Sequence, residues 1–167
     1  MIKTILTFLV VLISSCSYGQ TKKKLENKVK NDSAIGLIGT WRLIEFSNLD
    51  SMTNTWTHPY GKNPRGVFSY SRSGIVNINI SSEIPLQVPK DSMDNFKMNL
   101  KTFRKYAVGY FGTYTVDKEK GIVIHHVTGG SIQEYINSDE PRPYILKNDT
   151  LLIGDNKTWK RILIRVD

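Results

Sequence analysis

Two short stretches of the sequence hold most of the side chains suited to binding or transforming a small molecule. The first, THPYGKNPRGVFSYS, spans residues 57–71 and contains His58, Tyr60 and Arg65 together with two prolines and two glycines. Proline fixes φ, so such a segment is stiff and its side chains lose little conformational entropy on binding. Arg65 can hold a carboxylate or phosphate through two parallel hydrogen bonds. The stretch predicts either a rigid polar rim beside a pocket or a structural loop that closes one end of the fold.

The second stretch is a pair of adjacent histidines, His125 and His126, in an apolar context typical of a strand. Neighbouring residues of a strand point to opposite faces, so one histidine should face the interior, and the sequence leaves open which one. Beside Tyr60, Tyr110 or Tyr114, an interior histidine can act as a general base or make a structural hydrogen bond. Both histidines are therefore weak catalytic candidates, and we place His126, Tyr110 and Tyr114 with the predicted ligand-binding residues.

Other kinds of catalytic or cofactor site find little support. The histidines lack the two-residue strand spacing and the four-residue helix spacing that favour chelation, so we predict no metal site. The sequence contains no phosphate-binding loop, no dinucleotide fingerprint and no G-x-S-x-G elbow. Asp139 and Glu140 precede Pro141, and we expect them in a solvated loop rather than in an acid/base pair. We predict no cofactor, and binding is favoured over catalysis.

The elements that must position these side chains are mostly short strands. Eight are predicted from apolar alternation and turn residues: 39–47, 66–71, 75–81, 110–116, 122–128, 142–147, 150–154 and 159–166. Asn48 to Asn54 should form a turn, and Gly129-Gly130 should break the fifth strand. Consecutive strands joined by tight turns indicate a β-sandwich or a closed barrel, and about eight strands suffice to enclose one small ligand.

One segment has the period of a helix instead. Apolar residues recur at steps of three and four from residue 93 to residue 110; they are Met93, Phe96, Leu100, Phe103, Ala107 and Tyr110. Asp91 or Ser92 can cap the start of this helix, just after Pro89. We expect one inserted α-helix that packs against the strands or covers the mouth of a barrel.

Half of the net positive charge of the chain lies before the predicted domain. The 167 residues carry a formal net charge of +8, and five lysines lie between residues 20 and 34. We interpret residues 20–34 as a flexible linker and residues 35–167 as one domain. Neither the linker nor the domain contains a nucleic-acid-binding signature, so we expect no nucleic-acid partner.

The first 19 residues resemble a signal peptide. Lys3 precedes a short apolar run, Ile5 to Ile13, which is too short to span a bilayer as a stable helix. Cleavage before Cys16 would give a lipoprotein acylated on that residue, whereas cleavage before Gln20 would give a periplasmic or secreted protein. The sequence thus predicts export from a bacterial cell, with membrane contact only through a possible lipid anchor. Cys16 is the only cysteine, so we expect neither a disulfide nor a thiolate nucleophile in the mature domain.

Four blocks of sequence, in order, resemble the bacterial and fungal lipocalin-like domain family. They are LIGTWRL at 37–43, HPYGKNPRG at 58–66, YFGTYTVD at 110–117 and HHVTGGS at 125–131. The resemblance covers about residues 36–166. It implies an all-β fold, a lipocalin-like antiparallel up-and-down barrel of about eight strands with one inserted α-helix. It also implies that Trp41 closes the narrow end, often beneath a last-strand cation such as Lys160, Arg161 or Arg165.

Three functions remain open at this level. The first is an exported protein that binds a small apolar or amphipathic molecule in its barrel, with polar contacts from His58, Tyr60, Arg65 and one of the two histidines. The second is a cyclase or isomerase in which an interior histidine shuttles protons. The third is a surface lipoprotein whose barrel is filled by its own side chains. The oligomeric state is not predicted.

Overall fold

The computed structural model describes residues 36–87 and 103–167, and these residues form nine strands. The strands are β1 (Gly39–Asp50), β2 (Thr55–Thr57), β3 (Arg65–Tyr70), β4 (Ile75–Ser81), β5 (Ala107–Asp117), β6 (Ile122–Gly130), β7 (Asp139–Lys147), β8 (Thr150–Gly154) and β9 (Trp159–Arg165). A short 3-10 helix, Gln133–Tyr135, connects β6 to β7. The predicted signal peptide with Cys16, the predicted linker and most of the predicted helix lie outside the described residues.

The strands close into a barrel. From β3 to β9 each strand pairs antiparallel with the next along the chain, and β1 pairs with both β3 and β9. The β1–β9 contact runs from Trp41 opposite Arg165 to Asn48 opposite Trp159. The three-residue β2 pairs only with the end of β1 and lies outside the ring of eight. The all-β antiparallel barrel expected from the sequence is thereby confirmed, and closure by β1 and β9 separates it from a sandwich.

Trp41 closes one end of the barrel. Its side chain is fully buried, and its Nε1–H donates to the carbonyl oxygen of Leu37 at 2.9 Å. The Arg165 guanidinium carbon lies 4.0 Å from the Trp41 ring centroid, and Arg165 Nη1 donates to the Ile38 carbonyl oxygen. Of the three cations considered from the sequence, Arg165 therefore covers the tryptophan. It makes a cation–π contact with the ring and a hydrogen bond to the backbone.

Four local predictions differ from the structure. Ala107 belongs to β5 rather than to the helix stripe, whereas Phe103 is helical. Tyr110, predicted both in the stripe and at the start of the fourth strand, is in β5. β6 continues through Gly129-Gly130, and Gly130 pairs with Tyr110. A side chain at Gly130 would lie 2.6 Å from the Tyr110 backbone, and its φ of 150° also favours glycine. Glycine here permits a close strand contact instead of ending the strand.

The other two differences concern segments predicted as turn or loop. Thr55–Thr57 forms β2 immediately after the predicted 48–54 turn, and β1 itself extends to Asp50. Asp139 and Glu140 begin β7, where they pair with His126 and His125 respectively. Pro141 and Pro143 lie within this strand although proline has no backbone N–H. They are tolerated because β8 pairs with β7 only from Tyr144 onward, so neither proline has to donate a hydrogen bond to β8.

Candidate functional site

The barrel contains a cavity of about 830 Å³ that is partly open to solvent. The inner wall is largely apolar. Its lining includes aliphatic and aromatic side chains from four strands, β3, β4, β5 and β8: Phe68, Ile78, Ile80, Val108 and Ile153. This volume lies within the range of small-molecule sites, which bury an apolar body and orient it through a few polar groups. The interior is therefore not filled by the protein's own side chains.

The wall of the cavity is incomplete on one side. The β7–β8 pairing runs from Tyr144 to Lys147, so the first half of β7 has no partner from β8 among the described pairs. The cavity reaches this place, where Pro141 and Pro143 lie on one side and Asp155 and Trp159 on the other. The two prolines leave no backbone N–H unpaired at this edge. We therefore identify this gap between β7 and the β8–β9 turn as a lateral opening of the cavity.

Two arginines line the cavity beside this opening. Their guanidinium carbons lie 5.8 Å (Arg142) and 5.2 Å (Arg161) from the Trp159 ring centroid. Arg142 is paired with Glu140, Nη2 to Oε2 at 2.9 Å, and Glu140 in turn accepts a hydrogen bond from Ser138. The positive charge of Arg142 is thus balanced within β7.

Arg161 is held differently. Its guanidinium carbon lies 3.3 Å from the Phe46 ring centroid, and its Nη1 donates to the carbonyl oxygens of Ser47 and Lys160. Burial, with the nearby Arg142 charge, lowers the pKa of Arg161 to about 10, so it stays protonated at neutral pH. Among the described residues, no carboxylate forms an ion pair with Arg161.

A third cation borders the cavity where β5 begins. Arg104 makes a two-point contact with Glu134, at 3.0 Å and 2.6 Å between nitrogen and oxygen. The Tyr60 hydroxyl donates to the Arg104 carbonyl oxygen at 3.0 Å, which ties the 57–64 loop to this end of the barrel. Because Arg104 already holds Glu134 in a bidentate pair, its role here is mainly to fix the 3-10 helix against β5.

His125 is the interior histidine, and it lies between two tyrosines. Its Nε2 is 3.0 Å from the Tyr70 hydroxyl oxygen, and its Nδ1 is 2.8 Å from the Tyr110 hydroxyl oxygen. The imidazole is 1% exposed, and burial lowers its pKa to about 3, with a further contribution from the Arg142 charge. His125 is therefore neutral at physiological pH, with one nitrogen donating and the other accepting.

Some of the residues predicted for the site line the cavity, and others do not. Tyr60, Tyr110 and His125 line the cavity. Tyr114 is buried beneath it and donates its hydroxyl proton to the Ser71 carbonyl oxygen, so it is a core residue. The stiff 57–71 segment supplies Tyr60, but the other two polar side chains proposed for the rim, His58 and Arg65, are exposed and do not line the interior cavity.

His126, predicted with the ligand-binding residues, points outward from β6. Its Nδ1 lies 2.6 Å from Asp139 Oδ1, and its Nε2 lies 3.0 Å from Thr115 Oγ1. This is the order of an acid, a base and a hydroxyl, but none of the three residues lines the interior cavity. We interpret the row as a cross-strand contact.

Arg142 and Trp159 were not predicted as site residues, and Arg161 was considered only as one of three last-strand cations that could cover Trp41. Trp159, Arg161 and Arg165 alternate along β9 and so share its inner face. That alternation is the signal that could have grouped Trp159 with Arg161. The sequence pattern does not reveal that Arg161 lies opposite Phe46, near the open part of the barrel, whereas Arg165 lies opposite Trp41.

The closed antiparallel barrel and its interior cavity place this chain in the class of ligand-binding β-barrels. A scan against protein-family models matches the lipocalin-like domain over residues 38–163. The chain therefore belongs to the lipocalin-like domain family, as its sequence blocks indicated. No curated protein matches the chain in a sequence search.

Two features are absent from residues 36–87 and 103–167. No helix in these ranges has the length and apolar character needed to cross a membrane. No cluster of three or more histidine, cysteine, aspartate or glutamate side chains that could hold a metal ion occurs there either.

Proposed function

We propose that this protein is an exported carrier or receptor that binds one small apolar or amphipathic molecule inside its barrel. The observation that supports this proposal most directly is the cavity of about 830 Å³ with apolar walls. The interior also carries polar side chains that can orient a ligand, among them Arg142 and Arg161 beside the lateral opening.

The other two functions considered from the sequence fit this interior less well. A barrel filled by its own side chains would not contain such a cavity. An enzyme with an interior histidine as proton shuttle would depend on His125, whose two nitrogens both face tyrosine hydroxyls and whose pKa is about 3. A histidine with so low a pKa is a weak base at neutral pH. The geometry therefore favours binding over catalysis.

Export is proposed from the first 19 residues, with Cys16 as the lipidated residue if the lipoprotein signal is used. Measuring the intact mass of the protein isolated from its host membranes or medium tests this. A mature chain that starts at an acylated Cys16, or at Gln20, supports export. A mature chain that retains Met1 to Gly19 contradicts it.

The cavity itself can be tested by filling it. Val108 lines the cavity from β5, opposite Ile80, whereas Val67 on β3 lies on the outer surface, 42% exposed. We expect Val108→Trp to weaken binding of the neutral fluorophore N-phenyl-1-naphthylamine by about tenfold or more, because the indole occupies the ligand volume.

Fluorescence titration measures this affinity, and Val67→Trp is the matched control, with the same change of side chain outside the barrel. We expect Val67→Trp to bind the probe as the unmodified protein does. Equal affinity in all three proteins, each with an intact thermal transition, would mean that the probe binds elsewhere and would contradict the proposal.

A further inference from the structure

The directions of the hydrogen bonds around His125 determine which hydroxyl proton remains available to a ligand in the cavity. The Tyr70 side chain is 1% exposed, and among the described residues its hydroxyl has one hydrogen-bond partner, His125 Nε2. A buried O–H without an acceptor costs about 1–3 kcal/mol. The Tyr70 proton is therefore directed at Nε2, which makes Nε2 the acceptor.

The rest of the chain of hydrogen bonds follows from this. If Nε2 accepts, neutral His125 carries its proton on Nδ1, and Nδ1–H donates to the Tyr110 hydroxyl oxygen at 2.8 Å. The Arg142 guanidinium is also near Tyr110, and its positive charge favours an accepting oxygen there. The Tyr110 oxygen thus accepts from Nδ1–H, and its own proton is left without an acceptor from the described residues. Since Tyr110 lines the cavity, this proton points into it.

The reverse arrangement is less favourable. If Tyr110 donated to Nδ1, then Nε2–H would donate to Tyr70, and the fully buried Tyr70 proton would face no acceptor. In the first arrangement the unsatisfied proton belongs to Tyr110, which borders open space where a ligand or water can accept it.

Arg161 is the other group available to a ligand. Its Nη1 is used by two carbonyl oxygens, and the guanidinium forms no ion pair with a described carboxylate. Two carboxylates lie nearby, but both are engaged. Glu140 is held by Arg142 and Ser138, and Asp155 accepts hydrogen bonds from Lys157, Thr158 and Trp159. The cavity therefore presents donors, one of them a cation without a paired anion.

We propose, on the basis of the binding function above, that the ligand is an amphiphile with a carboxylate end. The carboxylate accepts hydrogen bonds from Arg161 and the Tyr110 hydroxyl beside Arg142. The apolar body lies against Ile78, Ile80 and Val108. A carboxylate matches the planar donor edge of a guanidinium, and it supplies the negative charge that the buried Arg161 lacks.

Three probes with the same twelve-carbon chain test the head group. Isothermal titration with dodecanoate, dodecanol and dodecyltrimethylammonium compares an anion, a neutral hydroxyl and a cation. The two ionic probes are kept below their micelle concentrations and dodecanol below its solubility limit. We expect dodecanoate to bind about tenfold or more tightly than dodecanol, and the cation to bind weakest. Equal or weaker binding of dodecanoate relative to dodecanol overturns the carboxylate assignment and leaves the proposed apolar cavity standing. Failure of all three probes to bind contradicts both proposals.

Variants assign the effect to Arg161. Arg161→Gln should reduce dodecanoate affinity by about tenfold or more while changing dodecanol affinity by less than about threefold. Arg42→Gln, on the exposed face of β1, removes one positive charge outside the cavity and should leave both affinities unchanged. An equal loss of dodecanoate affinity in the two variants would show a general charge effect and overturn the assignment.

A measurement without ligand tests the hydrogen-bond directions. Nitrogen-15 shifts of the His125 imidazole distinguish a protonated Nδ1 from a protonated Nε2. We expect the Nδ1–H form in the full-length protein at neutral pH. Observation of the Nε2–H form would direct the Tyr110 proton to histidine and overturn its role as a donor to the ligand.

Discussion

Trp41→Ala is expected to reduce the free energy of unfolding by about 3–5 kcal/mol, the range for removing a large buried aromatic side chain. Trp41 is fully buried, its indole N–H holds the Leu37 carbonyl, and Arg165 lies over its face. The substitution therefore opens a void and also removes the surface on which Arg165 stacks. Since domains are typically stable by about 5–15 kcal/mol, the loss is a large fraction of the total.

Urea denaturation provides the measurement, and Trp56→Ala is the matched control. Trp56 lies on β2 outside the closed ring, is 38% exposed and contacts Lys160 through its ring. We expect a loss of about 1 kcal/mol or less there. If Trp41→Ala does not fold, Trp41→Phe retains part of the packing and should remain measurably less stable than Trp56→Ala. A Trp41→Phe protein as stable as the unmodified protein, or a greater loss at Trp56, would contradict the assignment of Trp41 as the closing residue.

The second large effect is a loss of stability in acid that depends on His125. Its pKa is about 3 in the folded barrel and about 6.5 in an unfolded chain. Between these values the unfolded chain binds more protons, so folding stability rises with pH. The contribution is fully present above about pH 6.5 and is lost as the pH falls toward 3. The slope from this residue approaches about 1.4 kcal/mol per pH unit within that window.

The variant His125→Gln isolates this contribution from the carboxylates that titrate in the same range. Glutamine cannot titrate but can still hydrogen-bond to Tyr70 and Tyr110. We expect this variant to be less stable at pH 7.5 and to lose less stability than the unmodified protein between pH 6.5 and pH 4. Urea midpoints at several pH values measure the difference. His126→Gln, on the outer face of the same strand, is the matched control. Parallel pH profiles for His125→Gln and the unmodified protein would contradict the neutral, buried state of His125.

Much of the fold was predictable from the sequence because short-range patterns decide it. Alternation and turn residues located β4 and β8 at their observed bounds, and the LIGTWRL block located β1 with Trp41 inward. The same patterns failed at glycines and prolines, which can either end a strand or lie within it. Gly130 permits close strand contact, and the prolines in β7 remain in the strand because its β8 partner begins only at Tyr144. Whether such a residue ends the strand or stays within it depends on the neighbouring strand, which the local sequence does not contain.

The candidate site was less predictable for the same reason. The sequence by itself determined that one member of the His125-His126 pair faces inward, since the alternation of a strand requires it. It also identified Tyr60 and Tyr110 as aromatic groups of the site. Only the tertiary structure decided that His125 is the inward residue and that Arg142 and Arg161 meet beside Trp159. These residues come from separate strands, and the register and closure of the barrel, rather than local spacing, bring their side chains to one wall of the cavity.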